Sequence, residues 1–160
     1  MSGTAGSIAP PVPAPVRGNA VLTALTDVGS RPGVWVDCPL QVTLPEAGTY
    51  ELDGNLRSYV EGTSPASTYI VGRLFDVTAG VVVPNSETFI NQQSVTVSPT
   101  STSIRIGANM SAPLVVDYAV TKPTVLRLQV KFTDGYSTVV GAHMTSDANG
   151  RTLLRFRKVA

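Results

Sequence analysis

Between Thr49 and Val60 the side chains alternate: Tyr50, Leu52, Gly54, Leu56, Ser58 and Val60 share one face, while Glu51, Asp53, Asn55, Arg57 and Tyr59 share the other, with Glu61 extending the polar row. A period of two belongs to a strand, and an apolar face backed by a charged one belongs to a strand with one side on a core and one in water. The pattern recurs. Ala112, Leu114, Val116, Tyr118 and Val120 oppose Val115, Asp117 and Ala119, and Thr124, Leu126, Leu128, Val130 and Phe132 oppose Val125, Arg127, Gln129 and Lys131. Val95 with Val97, and Ile104 with Ile106, mark two shorter strands. Further candidates are Asn19 to Leu25, Leu40 to Leu44, Thr68 to Val77, Ser137 to Thr145 and Thr152 to Val159. No window carries a convincing helical period. About ten short strands rich in Val and Thr, punctuated by Gly and Pro, predict an all-β fold, an antiparallel sandwich or barrel. Gly54, inside the clearest strand, marks a bulge or a close backbone contact.

Two dipeptides carry turn chemistry, Asp134-Gly135 and Asn149-Gly150, and each is expected to supply the positive φ of a tight hairpin. Taken alone they make the last three strands a meander within one sheet. A jelly roll instead sends successive strands to opposite sheets, and the loops here are long enough to cross. The jelly roll is the expected architecture.

Ahead of the strands lies Ile8-Ala9-Pro10-Pro11-Val12-Pro13-Ala14-Pro15-Val16-Arg17, behind a Gly/Ser/Thr-rich start. Proline fixes φ and removes donors, so this stretch prefers extended polyproline II to a helix or a sheet ladder. Residues 1–17 are therefore expected to be an extended or disordered arm, and 18–160 one jelly-roll sandwich. As an attachment arm, its handles would be Ile8, Pro10, Pro11, Val12, Pro13, Pro15, Val16 and Arg17, because a pre-extended chain loses less entropy on docking.

Charge removes several function classes. Twelve Lys+Arg stand against eleven Asp+Glu, a net +1, with charged residues only 14% of the chain. That is no basic footprint, so neither nucleic acid nor a membrane surface is an expected partner. No stretch approaches the roughly 18 apolar residues of a membrane span, and Met1 to Ala9 lacks the plan of a signal peptide. One histidine, His143, and one cysteine, Cys38, cannot assemble a multi-His or Cys-rich metal site, and a lone cysteine forbids an internal disulfide. No cofactor, metal or catalytic residue is expected, and the chain reads as a non-enzyme. Glu51 and Asp53 are spaced as paired acids would be, yet Asn55 and Arg57 continue the row and make it a solvated face.

Binding chemistry has two sources. Trp35, Tyr59 and Tyr136 are the candidate platform for a ligand such as a host surface glycan, with Trp35 alternatively closing one end of the core. Arg151, Arg155, Arg157 and Lys158 gather at the last strand, where charges at an exposed edge would block unwanted pairing, or contact an acidic neighbour.

Leu44-Pro45-Glu46-Ala47-Gly48-Thr49-Tyr50-Glu51-Leu52 resembles the segment entering a core strand in C1q/TNF-like jelly rolls. Asp147-Ala148-Asn149-Gly150-Arg151-Thr152-Leu153-Leu154-Arg155-Phe156-Arg157-Lys158-Val159 resembles the closing strand of small jelly-roll proteins of tailed bacteriophage virions, and with Trp35-Val36-Asp37-Cys38-Pro39 the resemblance spans roughly residues 19 to 159. It implies a homotrimer on the virion surface, made in the host cytoplasm. The implied role is a capsid decoration (minor capsid) protein whose partners are itself and the major capsid protein or other virion subunits. The alternative is a tail fibre or tip module that binds a receptor or carbohydrate. The aromatic content of 6% departs from animal C1q-like domains.

Overall fold

The computed structural model describes residues 14–96, 104–135 and 138–160. Its strands in chain order are β1 (Arg17–Val21), β2 (Thr26–Asp27), β3 (Trp35–Leu44), β4 (Gly48–Thr63), β5 (Ala66–Asp76), β6 (Val81–Val82), β7 (Thr88–Val95), β8 (Arg105–Val120), β9 (Thr124–Asp134), β10 (Thr138–Met144) and β11 (Leu153–Lys158). Every pairing is antiparallel.

The strands form two sheets. In the first, β4 carries β8 along one side, while β11 and β10 share the other; β1 lies beyond β11 and β2 beyond β10. In the second, the order is β3, β9, β5, with β7 and β6 both on the far side of β5. Successive long strands therefore alternate: β1 first, β3 second, β4 first, β5 and β7 second, β8 first, β9 second, β10 and β11 first. That is the strand order of a jelly roll.

The alternation read from residues 49 to 60 is the physical basis of the core. Tyr50, Leu52, Leu56 and Val60 are fully buried, and Leu114, Leu126, Leu128, Val130 and Phe132 meet them from β8 and β9. Gly54 is a close approach and not a bulge. The β4–β8 register runs unbroken from Gly48 to Thr63, and a Cβ at Gly54 would stand 3.3 Å from the Leu153 carbonyl oxygen. Gly72 does the same between the sheets, where a Cβ would come 2.8 Å from Ile90 Cδ1 and 3.1 Å from Leu56 Cδ1.

Polar contacts tie the sheets together. Asp76, 2% exposed, accepts from the Tyr118 hydroxyl at 2.9 Å with one oxygen and from the Ala79 amide at 2.8 Å with the other. Burial first, and then this carboxylate, push the Tyr118 phenol up to about 12. Asn91 Nδ2 donates to the carbonyls of Ser58 and Ala108, at 3.2 and 2.9 Å.

The turn expectations need correction. β9 pairs with β5 while β10 pairs with β4, so the chain after Asp134-Gly135 crosses between sheets and forms no hairpin. Asn149-Gly150 does sit in a tight turn, with the Asp147 amide donating to the Gly150 carbonyl at 2.9 Å. The strands flanking it nevertheless do not pair with each other. β10 covers Ser58 to Thr63 of β4 and β11 covers Tyr50 to Asn55, so the two lie end to end along one strand. Arg57 holds the excursion between them: its guanidinium reaches Asp147 Oδ1 at 3.0 Å and the Gly150 carbonyl at 2.7 Å, and its amide donates to Thr152 Oγ1 at 2.9 Å. Among the described residues, positive φ occurs at Gly33, Gly48, Gly80 and Asn85, and at neither dipeptide. A turn-forming pair fixes local curvature; the partner strand decides whether the chain returns to the same sheet.

Candidate functional site

Of the arm residues, Ile8, Pro10, Pro11, Val12 and Pro13 lie outside the described residues, as does Tyr136. Pro15 is exposed. Val16 packs against the core and its carbonyl accepts from the Lys158 amide at 2.8 Å; Arg17 opens β1 opposite Arg157. The chain is thus already part of the sandwich at Val16, just before β1.

Trp35 and Tyr59 are not brought together. Tyr59 lies on the outer face of the first sheet, its hydroxyl donating to Glu61, which also pairs with Arg105, and its ring centroid 5.1 Å from that of His143. His143 is pushed below its ordinary value by burial, which the nearby Asp27 opposes. Trp35 belongs to the second sheet, half-buried at the start of β3, and does not close the core. Cys38 is fully buried, its thiol pushed up to about 11 by desolvation, and so is a packed residue. Among the described residues no three His, Cys, Asp or Glu side chains are grouped to hold a metal ion.

The outer face of the first sheet is a lattice of opposite charges. Arg157 bonds Glu51 at 2.8 Å and Arg155 stands 3.9 Å from Asp53, while Lys158, of the other parity and opposite the buried Tyr50, bonds Glu46 ahead of β4 at 2.7 Å. This corrects the edge reading of the C-terminal cations: β11 is an interior strand between β1 and β4, and its arginines are matched to acids across the sheet. One full row runs Asp117 on β8, Glu51 on β4, Arg157 on β11 and Arg17 on β1. Its two inner members are paired, while the outer two make no ion pair among the described residues. Arg17, Asn19, Glu51, Asp53, Arg155 and Arg157 line a shallow groove of about 500 Å³ along this face.

The second sheet is organised differently. Arg73 of β5 holds its guanidinium carbon 3.8 Å from the Trp35 ring centroid, and Lys131 of β9 holds its ammonium 4.7 Å from it. Arg73 donates twice to Gln129 Oε1, at 3.0 and 2.9 Å, and Gln129 donates on to Asp37 at 2.9 Å. Asp37 is the acid of this cluster, and Arg127 occupies its other oxygen at 2.6 Å. The Gln129 hydrogen bond first, then Arg127, hold the Asp37 carboxyl below the usual range. Beyond this cluster Tyr69 and Phe89 are in ring contact, centroids 5.3 Å apart, and Phe89 is 62% exposed. Sequence reading reached Trp35 but missed Arg73, Lys131, Tyr69 and Phe89. The outward position of each follows from period two, but their meeting on one face depends on β3, β9, β5 and β7 becoming neighbours.

No protein-family model matches this chain, and no curated protein matches it. Among solved structures it is similar to that of the infectious bursal disease virus Gt strain, at 11% identity and a TM-score of 0.46 over 91% of this chain and 38% of that one. The Gx strain structure is similar at 11% identity and a TM-score of 0.42 over 91% and 37%. A mutant VP2 protein of the same virus, from derived T=1 particles, is similar at 13% identity and 0.42 over 91% and 36%. The chain thus spans well under half the length of these matched chains. At this level of likeness neither role nor partner transfers, and the jelly-roll assignment stands on the strand pairing itself.

Proposed function

We propose that the chain is a non-enzymatic structural protein of a virus particle, a capsid decoration protein that attaches through its proline-rich N-terminal segment and associates as a homotrimer. The observation that carries this reading is the charge row of the first sheet. Asp117 lies on β8 and Arg17 on β1, strands that each pair on one side only among the described residues. Copies set edge to edge would bring Asp117 of one beside Arg17 of the next, completing a row that already has paired acid and arginine at its centre. Such head-to-tail contacts use two different patches and close into a ring when the rotation allows it. The attachment segment would leave the same edge, immediately ahead of Val16.

Light scattering during gel filtration is the direct test. A trimer is expected for the intact chain, a monomer for Arg17→Glu and for Asp117→Lys alone, and a trimer again for the two together. A monomeric intact chain, or a trimer indifferent to both changes, overturns this contact. For attachment, removal of residues 1–13 spares Val16 and β1; the shortened chain is expected to fold and to stop cosedimenting with virus particles assembled without it. Undiminished cosedimentation overturns the role of the segment.

A further inference from the structure

Arg73 and Lys131 are held against one indole ring, yet among the described residues neither has an acid partner. The ring quadrupole attracts each cation but carries no net charge, so it leaves their mutual repulsion in place. Asp37, the acid of the cluster, is already bound by Arg127 and Gln129. Both cations arise from interior strands of the sheet, β5 and β9, so their positions are set by the ladder and not by a mobile loop. A fixed pair of unneutralised cations on a rigid face is an arrangement complementary to an anion.

The surroundings define what carries that anion. The register runs from Trp35 to Lys131 to Val71 to Phe89 across four strands, a span of about 14 Å at the usual strand spacing of roughly 4.8 Å. Along it lie the indole, which carries the two cations, the buried Val71, and the Tyr69–Phe89 ring pair, whose exposed Phe89 is the apolar surface beside those cations. The main-chain groups of β9 and β5 are committed to the ladders on both sides, so an added peptide strand would find no backbone partners over this track. Sugar rings need none: their C–H faces lie on aromatic rings such as the exposed Phe89.

We propose that the outer face of the second sheet binds a carboxylate-bearing oligosaccharide, with Arg73 and Lys131 receiving the carboxylate and the exposed Phe89 supporting a sugar ring. The site is independent of the attachment reading, since it uses no residue of the first sheet or of the N-terminal segment.

The test is calorimetric titration of the intact chain with two probes, an alternating uronate–N-acetylhexosamine tetrasaccharide and a sialylated trisaccharide, each beside its carboxyl-reduced form. At least one acidic probe is expected to bind, with the reduced form weaker by about tenfold or more, the scale of one charge-assisted contact. Arg73→Gln and Lys131→Gln should each weaken that binding by about the same factor, and Phe89→Ser should weaken it less; the variants' thermal midpoints report that the fold is kept. The chain lacking residues 1–13 should bind as the intact chain does, which separates this site from attachment. Absence of binding to both acidic probes, equal affinity for acidic and reduced forms, or equal affinity for a glutamate peptide of matched charge would each overturn the proposal.

Discussion

The two outer faces of this sandwich contain the same kinds of residue and arrange them oppositely. On the first sheet arginines stand beside acids on the neighbouring strand, as Arg157 does beside Glu51, and between the edge residues Asp117 and Arg17 the charge is spent within the face. On the second sheet two cations converge on Trp35 while the nearby acid is engaged elsewhere. Both arrangements follow from strand register, because residues of one parity share a face and the neighbouring strand sets what each side chain meets. Charge count alone does not tell a self-satisfied surface from one left open to a partner; register does.

The two faces belong to one body, and Asp76 is where the sheets separate most readily. Asp76→Ala leaves the Tyr118 hydroxyl and the Ala79 amide without their acceptor and is expected to lower stability by about 2–3 kcal/mol in urea unfolding, in one transition. A loss well under about 1 kcal/mol would mean that the Asp76 contacts contribute little to uniting the sheets.

A smaller effect sharpens the contrast itself. Glu51→Gln removes the acid between Asp117 and Arg157, leaving Arg157 beside Arg17, and should cost about 0.5 kcal/mol at low salt. Lys131→Gln removes a cation that has no acid partner among the described residues, and should leave stability unchanged or slightly raised. Equal losses from both would show that the second face is as internally satisfied as the first.

The smallest effect is in acid. The Asp37 carboxyl is held below its ordinary value of 3.8, so its contribution is fully present above that pH and is lost as pH falls below it through the lowered value. Protonation would also release Arg127 and add a third unmatched cation to the face. Carboxyl chemical shifts followed by NMR between pH 5 and 2, a window of about three units around the reference value, should show Asp37 titrating late. A midpoint at or above the ordinary value would contradict the hydrogen-bonded cluster.

Much of the scaffold was legible because period two needs no partner to be read. The inward set of β4, the two faces of β8 from Ala112 onward and those of β9 all stand where the alternation put them. β7 was caught only near its end: Asn91, Gln92 and Gln93 carry no apolar alternation, and Val97 lies outside the described residues. The short pairs β2 and β6 have too few residues to show a period. Ile104 and Ile106 looked like a separate strand because Gly107 and polar residues follow, yet Ile106 belongs to β8, which runs from Arg105 to Val120, and Ile104 lies just ahead of it. The candidate site was less legible, since its members lie on four strands of distant sequence and meet only through the jelly-roll order. Trp35 drew notice as an aromatic platform candidate, whereas Arg73 and Lys131 look like ordinary outward residues until β3, β9 and β5 are neighbours.

The end-to-end placement of β10 and β11 has a consequence for how this chain tolerates change in length. Each is locked in register on its own stretch of β4, so residues added between them lengthen an excursion without slipping either strand. The tip at Ala148 and Asn149 is exposed and bounded by the Asp147 and Gly150 contacts to Arg57. A foreign peptide grafted there would be carried outward on a fixed stem, making this position a natural point for display.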